Sequence, residues 1–253
     1  MTLDPGLRLL NDYGYNLVER HEVRLEPLDV LGRDDVLERV GTLATFVAAN
    51  RPVPPASPLD VASALVGRRT ESLPISLGGR LLRHLLNGFG STVTLTQLAA
   101  AFPTVEFVRL EFAGVQAAGV SPESLLAYLQ SAVPGDARLA DRYLLNPDAD
   151  VFVIGEVVYS DHVKVQPLDH LQAAAPVDLP GLQALLGANV SVTQESDWID
   201  VRTRTPATVA FKCYELSGDQ TSSGAGLTLE AQPVLIAAGI RVMVRQEPPP
   251  ASA

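Results

Sequence analysis

Apolar and polar residues alternate along this chain in short blocks, and the spacing within each block sets the element it predicts. Asp4-Pro5 offers an N-cap followed by proline, and Leu7, Leu10 and Tyr13 recur at helical spacing until Gly14, so 4–14 reads as a short amphipathic helix. Residues 15–18 and 23–28 read as strands, and 36–46 alternates ambiguously with Gly41 in its middle. Four prolines among the nine residues 50–58 make that stretch a loop. Ser57-Pro58 then caps a helix through Leu65 that Gly67 ends. Residues 73–77 lead into a helix at 80–89, with Leu81, Leu82, Leu85, Leu86 and Phe89 opposite Arg80, Arg83 and His84.

Further along, 105–112 is a strand with Val108, Leu110 and Phe112 on one face and Arg109 and Glu111 on the other. Ser121-Pro122 starts a helix through Leu125, Leu126, Tyr128 and Leu129, stopped by Pro134-Gly135. Residues 151–159 are apolar on both faces, as a central strand would be. After Ser160-Asp161, Val163 and Val165 alternate with His162, Lys164 and Gln166, so the two runs read as a hairpin. A short helix at 180–186 ends at Gly187, and 190–192, 198–203 and 208–216 supply further strands. Strands and helices intersperse without regular βαβ alternation or repeats, which predicts an α+β fold with a largely antiparallel sheet.

The end of the chain has its own pattern. A polar, glycine-rich run, Ser217-Gly-Asp-Gln-Thr-Ser-Ser-Gly-Ala-Gly226, precedes an apolar stretch, 227–245, and then Pro248-Pro249-Pro250. That stretch is too short to fold alone, so it must lie on the rest of the protein. Two readings follow: the polar run is a hairpin loop joining two strands, or it is a flexible linker to a docked tail that can be removed.

Composition narrows the classes. With 253 residues, 47% of them apolar, a sizeable core forms without metal or disulfide. The one cysteine, Cys213, excludes an intrachain disulfide and fits a reducing cytoplasm. The start of the chain lacks a signal-peptide pattern, and no run reaches a membrane helix. A net charge of -10, from 29 acidic and 19 basic residues, argues against nucleic acid and against simple adsorption on anionic lipid.

Catalytic patterns fail one by one. His21, His84, His162 and His170 have no metal-motif spacing, and Gly88-Phe-Gly90 follows a helix instead of a strand. Asn146, Asp148 and Asp150 imitate a calcium loop, but Val151 stands where glycine is needed and Val157 where glutamate is needed. Cys213 sits in a strand pattern as a small core hydrophobe, and neither a nucleophile elbow nor a P-loop occurs. No enzyme, metal or cofactor is expected.

Leu9-Leu-Asn-Asp-Tyr-Gly-Tyr-Asn-Leu-Val18, Pro27-Leu-Asp-Val-Leu-Gly32 and Val40-Gly-Thr-Leu43 together resemble the opening of the bacterial gasdermins. The helix at 77–89, Val105-Glu-Phe-Val-Arg-Leu-Glu-Phe112, the 151–165 pair and Thr208-Val-Ala-Phe-Lys-Cys-Tyr-Glu-Leu216 extend the resemblance over residues 3–216. It implies a twisted, largely antiparallel sheet with peripheral helices, a pore-forming domain at 1–226 and an inhibitory tail at 227–253, the boundary lying somewhere in 217–232. It also implies an intact cytoplasmic monomer that an activating protease, caspase-like or other, cuts. The body would then meet lipids of the inner membrane and form a homo-oligomeric β-barrel pore that kills the cell in antiphage defence. Nucleic acid is no partner.

On that resemblance the cut falls among Ser217, Gly218, Asp219, Gln220, Gly224, Gly226, Leu229 and Gln232, and the inhibitory peptide carries Val234, Leu235, Ile236, Ile240, Val242 and Val244. Residues 227–231 remain open as the last strand of the body. Two regions, 59–93 and 150–192, are the candidates for refolding into membrane hairpins, which need only about 9–11 residues per strand. Their apolar markers are Leu59, Leu65, Leu73, Ile75, Leu82 and Leu86 in the first, and Val151, Val153, Val157, Val163 and Val165 in the second. Residues 2–8 lack the cysteine that many members acylate, so no lipidation is expected. The rival reading is a soluble α+β binding or scaffold protein with 227–245 as permanent core; a third is a hydrolase with an unrecognised site.

Overall fold

The computed structural model describes residues 14–21, 24–33, 37–59, 69–70, 72–89, 91–130, 132–135, 137–144, 146, 149–219, 226–229, 232–234 and 240–244. The expected opening helix, Leu65, Gln220, Gly224, Leu235 and Ile236 lie outside them.

Strands β1 (Asn16–His21), β2 (Asp29–Arg33) and β3 (Leu37–Thr42) open the fold, followed by a helical turn α1 (Leu43–Phe46) and the short strands β4 (Val47–Ala49), β5 (Ser57–Pro58) and β6 (Leu73–Pro74). Helices α2 (Ile75–Gly88) and α3 (Leu95–Ala101) precede β7 (Phe107–Gly119), α4 (Pro122–Leu129) and β8 (Ala132–Pro134). A short helix α5 (Ala137–Leu139) runs into a π-helical turn, Ala140–Leu144, before β9 (Asp150–Leu168). Helix α6 (Leu179–Leu186) is followed by β10 (Val190–Glu195), β11 (Trp198–Asp219), β12 (Gly226–Leu229) and β13 (Ile240–Val244). The fold is α+β with a largely antiparallel sheet.

Side-chain caps open two of the helices that the sequence predicts, whereas the one expected at 80–89 begins at Ile75 without a side-chain cap. Ser121 Oγ accepts a hydrogen bond from Ser124 N at 3.2 Å, and Asp178 Oδ1 accepts one from Gly181 N at 3.0 Å; each cap is followed by a proline in the first turn. Helix α2 lays Leu81, Leu82, Leu85 and Leu86 against Val108, Leu110 and Tyr15 in the largest apolar cluster. It approaches β7 so closely that a Cβ on Gly78 would stand 2.0 Å from Val108 Cγ2.

The spine is antiparallel: β9 pairs with β7 along one edge and with β11 along the other. From β11 the sheet continues through β1, β13, β3 and β2 and returns to β9, so these strands close in a ring. One apolar cluster draws Val18 from β1, Leu31 from β2, Leu37 from β3, Ile154 and Val157 from β9, and Phe211 and Cys213 from β11. Strand β9 also gives Val151 and Val153 to a second cluster and Val163 and Val165 to the largest. Its 151–159 part is buried on both faces apart from a half-buried Glu156, as the apolar run predicts, and beyond Ser160 burial alternates.

Several expectations need correction. The expected hairpin at 151–165 is one continuous strand of 19 residues. Ser160 does not turn the chain: its one hydroxyl proton is shared between Ala113 O at 2.9 Å and His162 O at 2.8 Å, so polar residues are satisfied within the ladder. The strands expected at 198–203 and 208–216 are likewise one, and 203–206 are absorbed by a register slip against β9 between Arg202 and Ala207. The strand expected at 23–28 lies instead at Asp29–Arg33. Leu28 has φ +73° and Asp29 N bonds Glu26 O at 3.1 Å, a turn that Pro27 favours. Ser57 and Pro58 pair with Gly119 and Ala118 at the sheet edge, where a proline is tolerated, and residues 60–65 of the expected helix lie outside the described residues. The ambiguous 36–46 stretch divides into β3 and α1.

Candidate functional site

The expected tail meets the body at three places. First, β12 continues the sheet as the partner of β11, with Leu216 opposite Leu229, Ser217 opposite Thr228, Gly218 opposite Leu227 and Asp219 opposite Gly226. Leu227 and Leu229 pack with Leu216, Tyr128 and Leu125 in the second cluster, each 8% exposed. Of the two readings left open, the hairpin is the one adopted on either side of 220–225, and Ser217, Gly218, Asp219, Gly226 and Leu229 are all ladder positions.

Second, Val234 forms an isolated bridge with Cys213, its N–H donating to Cys213 O at 2.9 Å. Its carbonyl oxygen accepts from Asn16 Nδ2 at 2.9 Å and lies 3.7 Å from Cys213 Sγ. Asn16 is 2% exposed and Cys213 fully buried. Burial pushes the Cys213 thiol well above its ordinary range, so the thiolate needed for chemistry is suppressed. Pro233 stacks beside Gly14, where an added Cβ would meet its Cγ at 3.0 Å.

Third, β13 lies between β1 and β3. Ile240 and Val242 are register partners of Val18 and His21; Met243 and Val244 are partners of Glu38 and Arg39. Both ladders are parallel, and among the described residues they are the only parallel pairings. The carboxy-terminal strand thus closes the ring.

The membrane candidates are distributed over the interior. Leu59, Leu73 and Ile75 are half-buried against the largest cluster, in which Leu82, Leu86, Val163 and Val165 are buried. Val151 and Val153 belong to the second cluster and Val157 to the ring interior. Leu59, Leu73 and Ile75 dock along the outer edge of β7: Leu59 N bonds Ala117 O at 2.9 Å, Leu73 partners Val108, and Ile75 N bonds Glu106 O at 2.7 Å just before that strand. No described helix is long and apolar enough to cross a membrane, a fact silent about strands.

Two polar groupings escape sequence reasoning. Next to the Asn16 anchor, Tyr15 Oη donates to Glu156 Oε2 at 2.8 Å, Lys212 Nζ lies 3.1 Å from the same oxygen, and the ammonium sits 4.4 Å from the Tyr15 ring centroid. Burial, and after it Glu156, pushes the Tyr15 phenol far up. Farther away, Arg69 bridges Glu111 at 2.7 Å and covers the Trp198 ring at 4.9 Å. The hint in the sequence is only that Tyr15, Asn16, Glu156 and Lys212 are polar members of otherwise apolar runs; their meeting depends on strand pairing. Of the four histidines without metal-motif spacing, His162 has its Nδ1 2.7 Å from Asp161 Oδ1. Among the described residues no group of metal-binding side chains converges.

The model of the Bacterial Gasdermin Family matches residues 19–225. This chain belongs to that family. It is 27% identical over 219 residues to gasdermin bGSDM of Vitiosangium sp. (strain GDMCC 1.1324), covering 84% of this chain and 81% of that one. It is 25% identical over 193 residues to gasdermin bGSDM of Lysobacter enzymogenes, covering 75% and 70%. In fold it matches a bacterial gasdermin from Bradyrhizobium tropiciagri with a TM-score of 0.69 and 14% identity, over 96% of this chain and 98% of the other. Family and fold suggest a pore-forming cell-death effector; gasdermins are not a family of enzymes.

Proposed function

We propose that this gasdermin is a latched pore-former: intact, it is a cytoplasmic monomer, and a protease that severs the tail frees the body to oligomerise in the inner membrane. The observation that carries this reading is the parallel strand Ile240–Val244 closing the β1–β3 seam. Its loss leaves two strand edges with unpaired backbone groups, which favour pairing with another chain. Backbone groups in hydrocarbon must all be bonded, so the productive product is a closed barrel.

A protease needs exposed, unpaired backbone. The ladder positions Ser217, Gly218, Asp219, Gly226 and Leu229 do not offer it, so the cut falls between Asp219 and Gly226 or between Leu229 and Gln232. Residues 227–253 carry Arg241 and Arg245 against Glu230 and Glu247, two positive and two negative charges, so the formal net charge of -10 stays with the body. Activation therefore works through uncovered backbone and apolar surface, not through a change of charge. The regions 59–93 and 150–192 leave their clusters and become the membrane hairpins. Cell death by such pores would serve defence against phage.

The experiment is dye release from liposomes by the purified chain, intact and after proteolysis confined to 217–232. Release after cutting alone is expected. A cut chain that remains folded and releases nothing across several lipid mixtures overturns the reading in favour of a soluble protein with the tail as permanent core.

A further inference from the structure

Strand β10 stands at one end of the sheet path, with β11 along one side. Glu195 and Trp198 close a hairpin over the two residues Ser196 and Asp197, so Glu195, Thr193 and Ser191 exchange their backbone bonds with β11. The backbone groups of Val190, Val192 and Gln194 therefore point outward, in the row that a further strand would use.

A single side chain of α6 closes most of that row. Gln183 Oε1 accepts from Val192 N at 2.9 Å, and its Nε2 donates to Val190 O at 2.7 Å and to Gly187 O at 3.0 Å. Both amide protons and the oxygen are used, which fixes the orientation of the amide. Val190 O and Val192 N–H flank Ser191. A neighbouring strand would reach those two groups with one N–H and one C=O, the same pair that a carboxamide carries. The bond to Gly187 also holds the loop after α6, and the Gly187 carbonyl takes Val190 N at 3.4 Å.

We propose that the outer edge of β10 is a self-association surface of the intact chain, which Gln183 keeps closed by standing in for a strand. The occupant is the same edge of a second copy, antiparallel about a two-fold axis through Val192. In that register Val192 exchanges its backbone bonds with Val192 of the second copy, Val190 with Gln194, and Ser191 faces Thr193, so each outward backbone group gains a partner. Charge favours this occupant. Residues 190–194 carry none in a chain of net charge -10, and Glu195 falls opposite Asn189 of the second copy, not opposite Glu195. Ser191, Thr193, Gln194 and Glu195 are exposed, so the second copy reaches the edge once the amide is gone.

Helix α6 lies within the 150–192 region of the proposed function, so any refolding of that region carries Gln183 off the edge. The surface itself belongs to the intact chain and stands without that reading.

The test compares the intact wild-type chain with Gln183→Met, which keeps side-chain length and helix propensity and removes the amide. In sedimentation velocity, without lipid or protease, the wild type is expected to remain a single copy and the variant to double its mass as concentration rises. Amide hydrogen exchange should find Val192 N–H protected in the wild type, released in the dilute variant and protected again in its dimer. Val192→Pro added to Gln183→Met should restore the monomer, because the missing N–H lies at the centre of the dimer and outside the β10–β11 ladder. Register is read separately, with Ser191→Cys in one sample of the methionine variant and Thr193→Cys in another; Cys213 is buried and does not compete. Mixed under oxidant, the two should give the 191–193 disulfide ahead of either self-disulfide. A Gln183→Met chain that folds by circular dichroism and stays monomeric overturns the surface, and so does a statistical mixture of disulfides. Should that variant fail to fold, the same cysteine mixture in the otherwise native chain decides: a slow 191–193 disulfide supports the surface, and none overturns it. No step involves cutting or lipid, so failure here leaves the latch reading standing, and failure of the latch reading leaves this test valid.

Discussion

Asn16 donates its side-chain amide to the carbonyl oxygen of Val234 at 2.9 Å, joining positions 218 residues apart. Both ends of the described chain meet there, over a fully buried Cys213. Removing that buried amide leaves the Val234 carbonyl oxygen without its donor, and an orphaned acceptor costs its desolvation. Asn16→Leu should therefore destabilise the intact chain by about 1–3 kcal/mol and raise dye release before any cutting. Urea unfolding with leakage measured side by side checks both; unchanged stability would show that Asn16 does not hold the tail.

Gly14, at φ +76°, faces Pro233. An alanine there takes a backbone conformation that L-residues disfavour by about 1–2 kcal/mol and presses its Cβ on the proline ring. Gly14→Ala should lower stability, and combining it with Pro233→Ala should recover the steric part and not the conformational one. A double-mutant cycle separates the two.

Lys212, Glu156 and Tyr15 act as a unit. The Lys212 and Glu156 side chains are 17% and 15% exposed, so Lys212→Met leaves a poorly solvated carboxylate and should cost about 2–4 kcal/mol. Lys212→Met with Glu156→Gln should cost less than the single change. Thermal unfolding of the three variants measures the coupling; strict additivity would mean that the pair contributes nothing.

Alkaline pH should destabilise the fold. Burial first, then Glu156, pushes the Tyr214 phenol up from 10.0 to about 12, and the Tyr15 and Cys213 groups move in the same direction. With the folded pKa raised, the folded state holds more protons than the unfolded one once the pH passes the unfolded value. Stability is therefore full below about pH 9–10 and falls as pH climbs towards 12. Denaturant midpoints between pH 8 and 11.5 should decline, and Tyr214→Phe should flatten the decline. A constant midpoint would contradict the assignment.

Leu73 and Val108 are antiparallel register partners, with Cα atoms about 4.5–5.5 Å apart, within disulfide reach. A Leu73→Cys/Val108→Cys variant, oxidised, should keep the 59–93 region on the sheet and abolish dye release after cutting, and reductant should restore it. Equal release in both redox states would mean that this region does not refold.

Local rules made part of this protein legible in its sequence. Ser121 marks a helix start because a cap and its N–H partner are three residues apart. The double-sided apolar run of 151–159 announces a central strand, since period-two alternation is lost when both faces are covered. Cys213, next to Tyr214 and two residues after Phe211 in a strand pattern, is buried as the pattern implies. Local signals misled where neighbours resolved the polarity: Ser160-Asp161 looks like a turn until Ala113 takes the Ser160 hydroxyl. By itself the sequence determined the α+β class, the helix starts near Pro122 and Pro180 and the apolar character of the tail, because each depends on contacts within a few residues. Only the tertiary structure decided that 150–168 is one strand, that Asn16 holds Val234, and that Ile240–Val244 enters a ring of strands in parallel. Those relationships join residues far apart in the chain, Ser160 with Ala113 and Asn16 with Val234 among them, largely through backbone groups that every residue carries, and side-chain periodicity does not encode which backbone meets which.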